Sequence, residues 1–392
     1  MDIDLLRNET PGCSQVIHFN NAGAALVSKR TLQAQINCLK EEANYGSYET
    51  AANYSEQLSE FYNEVATLIN ASPNEIAFTE SATVAWLRSF YAIGFKEGDE
   101  IICDQSSYAS NYIAFLNAQN KFGVKIKIAS EGKEGEVSLD DIEKLISDKT
   151  KLISITHIPT NNGLVNPAEN IGDLASEKGI LYQLDACQSA GQYPLDVKKL
   201  KCDFLSATGR KYMRGPRGTG FLYVKQEVIE RFNPLNLDLH SAEWIDKTTF
   251  KARSDAKKFE TWEHSIAGKL GLTEATRQIN ELGISNIWDR VVDVATYLRV
   301  ELSQLEGIEV TDTGSLKSGI VTFQVPDKSH EEIKAHLSRH KFNTVIAVKS
   351  GTLIDMSSRN LDSVIRASIH YYNTNSEIDS FVSCLRNYLH SE

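Results

Sequence analysis

The residues of this chain that could do chemistry crowd into two places. One is Asp185-Ala-Cys-Gln188, a carboxylate and an amide that directly follow the apolar run Ile180-Leu-Tyr-Gln-Leu184. The other is Cys202-Asp-Phe-Leu-Ser-Ala-Thr-Gly-Arg-Lys211-Tyr-Met-Arg-Gly-Pro-Arg-Gly-Thr-Gly220. Its four glycines, Gly209, Gly215, Gly218 and Gly220, permit tight backbone turns. Its arginines give a local positive field within an acidic protein. A lysine held among cations is biased towards its neutral amine, which suits imine formation with an aldehyde. The chemistry alone therefore describes an anion site with a Schiff-base lysine. The rival phosphate loop, Gly-x-x-x-x-Gly-Lys-Ser/Thr, does not occur. A third place, Glu80-Ser-Ala-Thr-Val84, opens a helix after a strand. Small residues there let backbone N–H groups face a phosphate. Ser81 as an ordinary helix cap explains the same residues equally well.

These residues need strand ends to position them, and the pattern supplies strands. Glu75–Thr79, Glu100–Cys103, Val124–Ala129, Lys151–Thr156 and Ile180–Leu184 read as strands, and Val124–Ala129 alternates as a half-buried one does. Helical patterns lie between them at Ala82–Phe95, Ser110–Lys121 and Ala168–Lys178. This alternation predicts an α/β fold with a mostly parallel central sheet and helices on both faces. Ligands of such sheets bind beyond the carboxyl ends of the strands. After about residue 225 the pattern changes, and residues 233–265 read as irregular. Helices are expected over Ser265–Leu282, Ile287–Leu305, His330–Arg339 and Asn375–Ser391, with strands at Gly319–Gln324, Asn343–Ala347 and Val364–Ile369. We expect a large domain over 16–265 and a smaller α+β domain from 1–15 and 266–392.

Composition excludes several classes. Hydrophobic residues are 41% and charged residues 24%, as in globular proteins. The net charge of −11 does not favour nucleic acid. No apolar run approaches the roughly 20 residues that span a bilayer, and the N-terminus lacks a secretory pattern. The six cysteines are scattered without a C-x-x-C pair or histidine at metal spacing, so no metal is expected. A reduced, cytoplasmic setting fits them.

Asp185-x-x-Gln188, Asp203-Phe204, Thr208-Gly-Arg-Lys211 and Gly215-Pro-Arg-Gly-Thr-Gly-Phe-Leu-Tyr223 together resemble the class V aminotransferase and cysteine desulfurase superfamily. The resemblance runs from Phe19-Asn-Asn-Ala-Gly23 to Arg366-Ala-Ser-Ile-His-Tyr-Tyr-Asn-Thr374. It implies a fold-type-I enzyme with pyridoxal 5'-phosphate covalently bound to Lys211, which also serves as general acid and base. Asp185 would pair with the pyridinium nitrogen and Gln188 with the ring hydroxyl. Ala82, Thr83, Thr208 and Arg210 match phosphate-binding positions, with Arg210 where many relatives carry histidine. Tyr108 matches the aromatic residue stacked on the ring, and Thr160 stands where relatives often place asparagine beside it. Arg366 matches the arginine that binds the substrate α-carboxylate, approached by the turn Asn21, Ala22 and Gly23. His157 is read as structural. The resemblance also implies a homodimer acting on a small amino acid, with residues 233–265 reaching the neighbouring site.

Two departures bear on the reaction. Desulfurases carry a cysteine on a mobile loop before the arginine strand, and the corresponding Ala347–Asn360 has none. Near Phe259-Glu-Thr-Trp-Glu263, relatives have a threonine that reaches the phosphate of the neighbouring subunit; here Glu263 should repel it. The wording of several segments is similar to bacterial carbon–sulfur lyases such as hercynylcysteine sulfoxide lyase. We therefore expect a β-elimination lyase acting on an S-substituted cysteine or its sulfoxide, giving pyruvate and ammonia. Transamination of a small amino acid and epimerisation or racemisation are the alternatives, and a loop-cysteine desulfurase is disfavoured. Tyr45, Tyr48, Tyr112, His240, Trp244, Trp262 and Arg359 are candidates for the pocket wall.

Overall fold

A computed structural model describes residues 1–326 and 328–390. The expected alternation appears as a seven-stranded sheet. Its strands are β1 (Ile76–Thr79), β2 (Glu100–Asp104), β3 (Lys125–Ala129), β4 (Thr150–Thr156), β5 (Leu181–Asp185), β6 (Phe204–Thr208) and β7 (Gly220–Val224). Their spatial order is β1-β7-β6-β5-β4-β2-β3. Strands β3, β2, β4, β5 and β6 are mutually parallel, and β7 runs antiparallel to both β6 and β1. Strand β7 comes from the tail of the glycine-rich segment. There Gly220 is required by space, because a Cβ would meet the Ala207 carbonyl oxygen at 2.5 Å and the Ala82 nitrogen at 3.2 Å.

Both faces of this sheet are buried, as parallel sheets require. Successive residues of a strand point to opposite faces. Thus Ile102, Ile153, Leu184, Leu205 and Phe221 enter one core. Ile101, Cys103, Leu152, Leu181, Phe204 and Leu222 enter the other, with Trp86 stacked on Phe90 at 4.7 Å. Strand β3 lies at the sheet edge and is only partly covered, in keeping with its alternation.

A four-stranded antiparallel sheet follows: β8 (Glu309–Val310), β9 (Ile320–Gln324), β10 (Val345–Val348) and β11 (Ser363–Ser368), in the order β8-β9-β11-β10. Phe342–Asn343 leaves this sheet and pairs instead with Ile17–His18. The bridge Asn20↔Ser368 then ties the N-terminal turn to the end of β11. The late helices are Ile266–Leu282, Ile284–Ser303, His330–Arg339 and Asn375–Leu389. The expected extension of the last to Ser391 falls outside the described residues. Residues 29–69, given no element above, form helices Lys29–Tyr45, Ser47–Asn53 and Ser55–Ile69. The first of these buries only Thr31 and Cys38, so its apolar stripe is thin in the sequence. Among the described residues, no helix is long and apolar enough to cross a membrane.

Candidate active site

Strand pairing brings the two chemical clusters together. Thr156 and Asp185, the last residues of β4 and β5, are register partners, and Asp185 pairs in turn with Ser206 of β6. Lys211 follows β6 by one tight turn, in which the Gly215 N–H bonds the Gly209 carbonyl at 2.7 Å. The helix Ala82–Ala92 starts at the same edge. Ser81 caps it by accepting from the Val84 N–H at 3.2 Å, so the cap reading is correct and the helix N-terminus still opens into the site.

A cavity here is lined by Ala82, Thr83, Tyr108, Thr160, Asp185, Gln188, Thr208, Arg210 and Lys211, all nine residues expected to hold a cofactor. Asn111 and Cys187 also line it. Tyr108 precedes the helix Ala109–Phe122 and remains half-exposed at the cavity. Asp185 accepts from Asn111 Nδ2 at 2.8 Å and from the Cys187 N–H at 2.9 Å, which fixes its carboxylate. Arg210 donates to Thr208 Oγ1 at 3.1 Å.

Three lysines are buried among the described residues: Lys211, Lys258 and Lys269. Lys258 donates to Asn233 Oδ1, and Lys269 donates to Tyr62 and lies over its ring. Lys211 has no such partner among the described residues and faces the cavity. Burial pushes its pKa down, Arg210 and Arg366 add to this, and the Asp185 carboxylate opposes it. The Cys187 thiol is itself pushed up by burial and then by Asp185. It therefore stays protonated at neutral pH and gives the lysine no anion.

The four residues expected to hold substrate do not line this cavity. They stand behind it, joined through Thr160 and Gln188. Arg366 Nη1 donates to Thr160 Oγ1 at 2.7 Å and to its carbonyl at 2.9 Å. Gln188 Nε2 donates to Thr160 Oγ1 at 3.0 Å and to the Ala22 carbonyl at 3.1 Å. The Asn21 amide is tied up structurally, donating to the Ser368 carbonyl at 2.7 Å and accepting from Tyr372. The Ala22 N–H donates to Ser368 Oγ at 2.9 Å, and Gly23 closes the turn by bonding the Asn20 carbonyl. Burial lowers the Arg366 pKa to about 10, so it stays charged at neutral pH. No carboxylate pairs with it among the described residues, and its Nε is buried without a partner.

His157, expected to be structural, is buried away from the cofactor cavity. It lies edge-on to Tyr193, and burial lowers its pKa to about 3. Of the pocket-wall candidates, none lines the cofactor cavity. Tyr48, His240 and Trp262 line a separate groove with Leu39 and Glu263. Arg359 forms two bonds with Asp355 and reaches the Asn161 and Thr311 carbonyls. The cysteine-free segment before β11 is a short helix, Leu353–Ser358, secured by these bonds and by Asn161 to Thr352.

The sequence matches the aminotransferase class-V family over residues 17–381. The chain belongs to this family. A probable cysteine desulfurase of Pyrococcus abyssi is 29% identical, covering 97% of this chain and 96% of its own. Another, of Borreliella burgdorferi, is 31% identical over 95% of this chain and 91% of its own. The apo cysteine desulfurase of Thermococcus onnurineus has the same fold, with a TM-score of 0.92 at 26% identity, covering 99% of this chain and 98% of its own. These relatives overturn the expected reaction. Full-length family members named for sulfur removal from cysteine replace the lyase of S-substituted cysteines, and transamination or epimerisation fits them no better. The absence of a loop cysteine does not outweigh a match along nearly the whole chain.

Pyridoxal phosphate, the cofactor implied for this family, fits the residues present. Lys211 is a buried amine without a partner, Asp185 is a fixed carboxylate, and Gln188 Oε1 is buried without a donor. Gly220 lets the N-terminus of helix Ala82–Ala92 approach the sheet beside Arg210.

Proposed function

We propose that this protein is a pyridoxal-phosphate enzyme that removes sulfur from L-cysteine, leaving alanine. Two buried cations without anionic partners, Lys211 and Arg366, carry the amino-acid reading. Desulfurase-named relatives spanning nearly the whole chain support cysteine as that amino acid.

Lys211 would hold the cofactor covalently, and the bound group would supply an electron sink for negative charge at the substrate carbons. Asp185 would hold the ring nitrogen protonated, and Gln188 Oε1, buried without a donor, would accept from the ring hydroxyl. Thr83, Thr208, Arg210 and the Ala82 N–H bind the phosphate. Tyr108 and Thr160, which line the cavity, would face the ring. Arg366 takes the α-carboxylate beside the turn Asn21–Gly23. Lys211, whose burial favours the neutral amine, would carry protons between the substrate carbons.

Residues 349–358 contain no cysteine and Cys187 stays protonated, so a thiol from solution takes the sulfur. Cysteine and a thiol give alanine and a persulfide. One C–S bond breaks, one S–S bond forms, and one hydrogen moves to the β-carbon. Cysteine with dithiothreitol should yield equal alanine and sulfide. Pyruvate and ammonia without alanine would overturn the reading.

Asn111 tests the Asp185 arrangement. A hydrogen bond to a charged group is worth about 1.5–3 kcal/mol. Asn111→Ala should weaken cofactor binding at least roughly tenfold in an absorbance titration. An unchanged affinity would separate Asn111 from the carboxylate's role.

Further proposals concern assembly and setting. Leu39, Tyr45, Tyr48, Trp244 and Trp262 are exposed on the first long helices and on the 242–262 segment. Such a patch supports a homodimer in which residues 233–265 reach the neighbouring site. Six unpaired cysteines support a cytoplasmic setting. The division into 16–265 and 1–15 with 266–392 is retained as the domain assignment.

A further inference from the structure

A second cluster of ligand-type side chains lies outside the cofactor cavity, where two helices of the C-terminal unit meet. His336 lies in the last turn of the helix His330–Arg339 and His340, four residues on, is its C-cap, so the two rings come close together. Cys384 comes from the facing helix Asn375–Leu389. One donor atom of each lies within 4.8 Å of the other two. The histidine rings are 4.5 Å apart, and Tyr388 packs 5.0 Å from the His336 ring. Sequence spacing hides this cluster, because helix packing alone brings the cysteine to the histidines.

Two further observations point to a ligand. His336 Nε2 is buried with no hydrogen bond of ordinary geometry, although the Cys384 carbonyl stands near the ring and favours its protonated form. A buried ring nitrogen without a partner is costly unless something else satisfies it. His340 Nδ1 lies 2.9 Å from the His336 carbonyl. A carbonyl only accepts, so Nδ1 carries the proton and Nε2 keeps the lone pair that a metal needs.

We propose that His336, His340 and Cys384 bind one zinc-class divalent ion, with the fourth coordination position left to solvent or an added ligand. Two imidazoles and a thiolate select zinc or cobalt over magnesium or calcium, which prefer oxygen. Tetrahedral zinc with bonds of about 2.0–2.3 Å places its ligands roughly 3.3–3.8 Å apart. The cluster must therefore close by about 1 Å at its widest, and the exposed His340 can supply the movement. On coordination the Cys384 thiol releases its proton to solvent, and its sulfur lone pair forms the metal bond. The ion would pin the helix His330–Arg339 to the C-terminal helix. This site is independent of the desulfurase reading.

The test uses the cofactor-loaded full chain, stripped of metal with a chelator and titrated with Co2+. The expected result is one equivalent with the visible bands of tetrahedral cobalt and a thiolate charge-transfer band, both bleached by Zn2+. Cys384→Ser should lose the charge-transfer band. It should also weaken binding by more than the roughly tenfold cost of losing an outer-shell partner. His340→Ala removes an exposed side chain, so it should fold normally and weaken binding in the same way. Zn2+ should raise the thermal midpoint of the wild type and of neither variant. An octahedral cobalt spectrum, or equal binding by wild type and His340→Ala, would overturn the proposal.

Discussion

Replacing Lys211 with alanine should abolish alanine formation and leave the cofactor unlinked to the protein. Positioned proton transfer alone is worth about 100- to 10,000-fold, and the variant also loses its covalent attachment. A fall in kcat of at least about a thousandfold is therefore expected. Borohydride should fix the cofactor to the wild type through denaturation, and should not fix it to the variant. The prediction discriminates because two other buried lysines exist. Lys269 has a pKa lowered to about 8 by burial, so ease of deprotonation alone does not pick out Lys211. What separates them is the surroundings: Lys258 and Lys269 already hold hydrogen bonds, while Lys211 faces an open cavity with none. Cofactor fixed to Lys211→Ala would move the linkage to another amine. The fold should survive, because the substitution removes a buried charge that has no partner to strand.

Much of this site is legible in the sequence because its residues follow strand ends. Asp185 ends β5, and Lys211 follows β6 by a glycine turn, so a parallel sheet places them side by side. The nine cofactor residues converge for that reason. Asn111 escapes a sequence reading. It is an ordinary helical asparagine until the tertiary fold sets its amide on Asp185. Arg366 is legible as an arginine on a strand, but its unpartnered Nε is not. That follows from Thr160 engaging Nη1 across the boundary between the two sheets. The helices at 29–69 are obscured for another reason. Leu32, Leu39, Tyr45 and Tyr48 are apolar yet exposed, so the pattern does not resolve into one face turned to this chain's core. The reaction is the least legible feature. Lys211, Asp185 and Arg366 in their proposed roles would serve elimination, transamination and desulfuration alike, and similarity along the whole chain is what favours one of these.

Arg366→Met should raise KM for cysteine far more than it lowers kcat. Arg366 sits on the central strand β11, paired with Thr322 and Val345, so its backbone is fixed on both sides. Nη1 is engaged by Thr160, and Nη2 has only a long 3.4 Å contact with Asn20 Oδ1. The edge formed by Nε and Nη2 is thus available to two carboxylate oxygens, the fork geometry that makes such pairs strong. Removing one partner of a buried ion pair costs about 3–5 kcal/mol. That corresponds to a loss in kcat/KM on the order of a hundred- to a few-thousandfold. A group that binds ground state and transition state alike acts mainly through KM. Arg366→Lys retains the charge without the fork and should recover only part of the loss. Stability provides a second readout. The free protein holds this guanidinium buried and unpaired, so a methionine of similar length should leave the thermal midpoint unchanged or raise it. A fall in kcat at constant KM would assign Arg366 to the chemical step. A lower thermal midpoint with unchanged kinetics would make it a structural residue that braces Thr160.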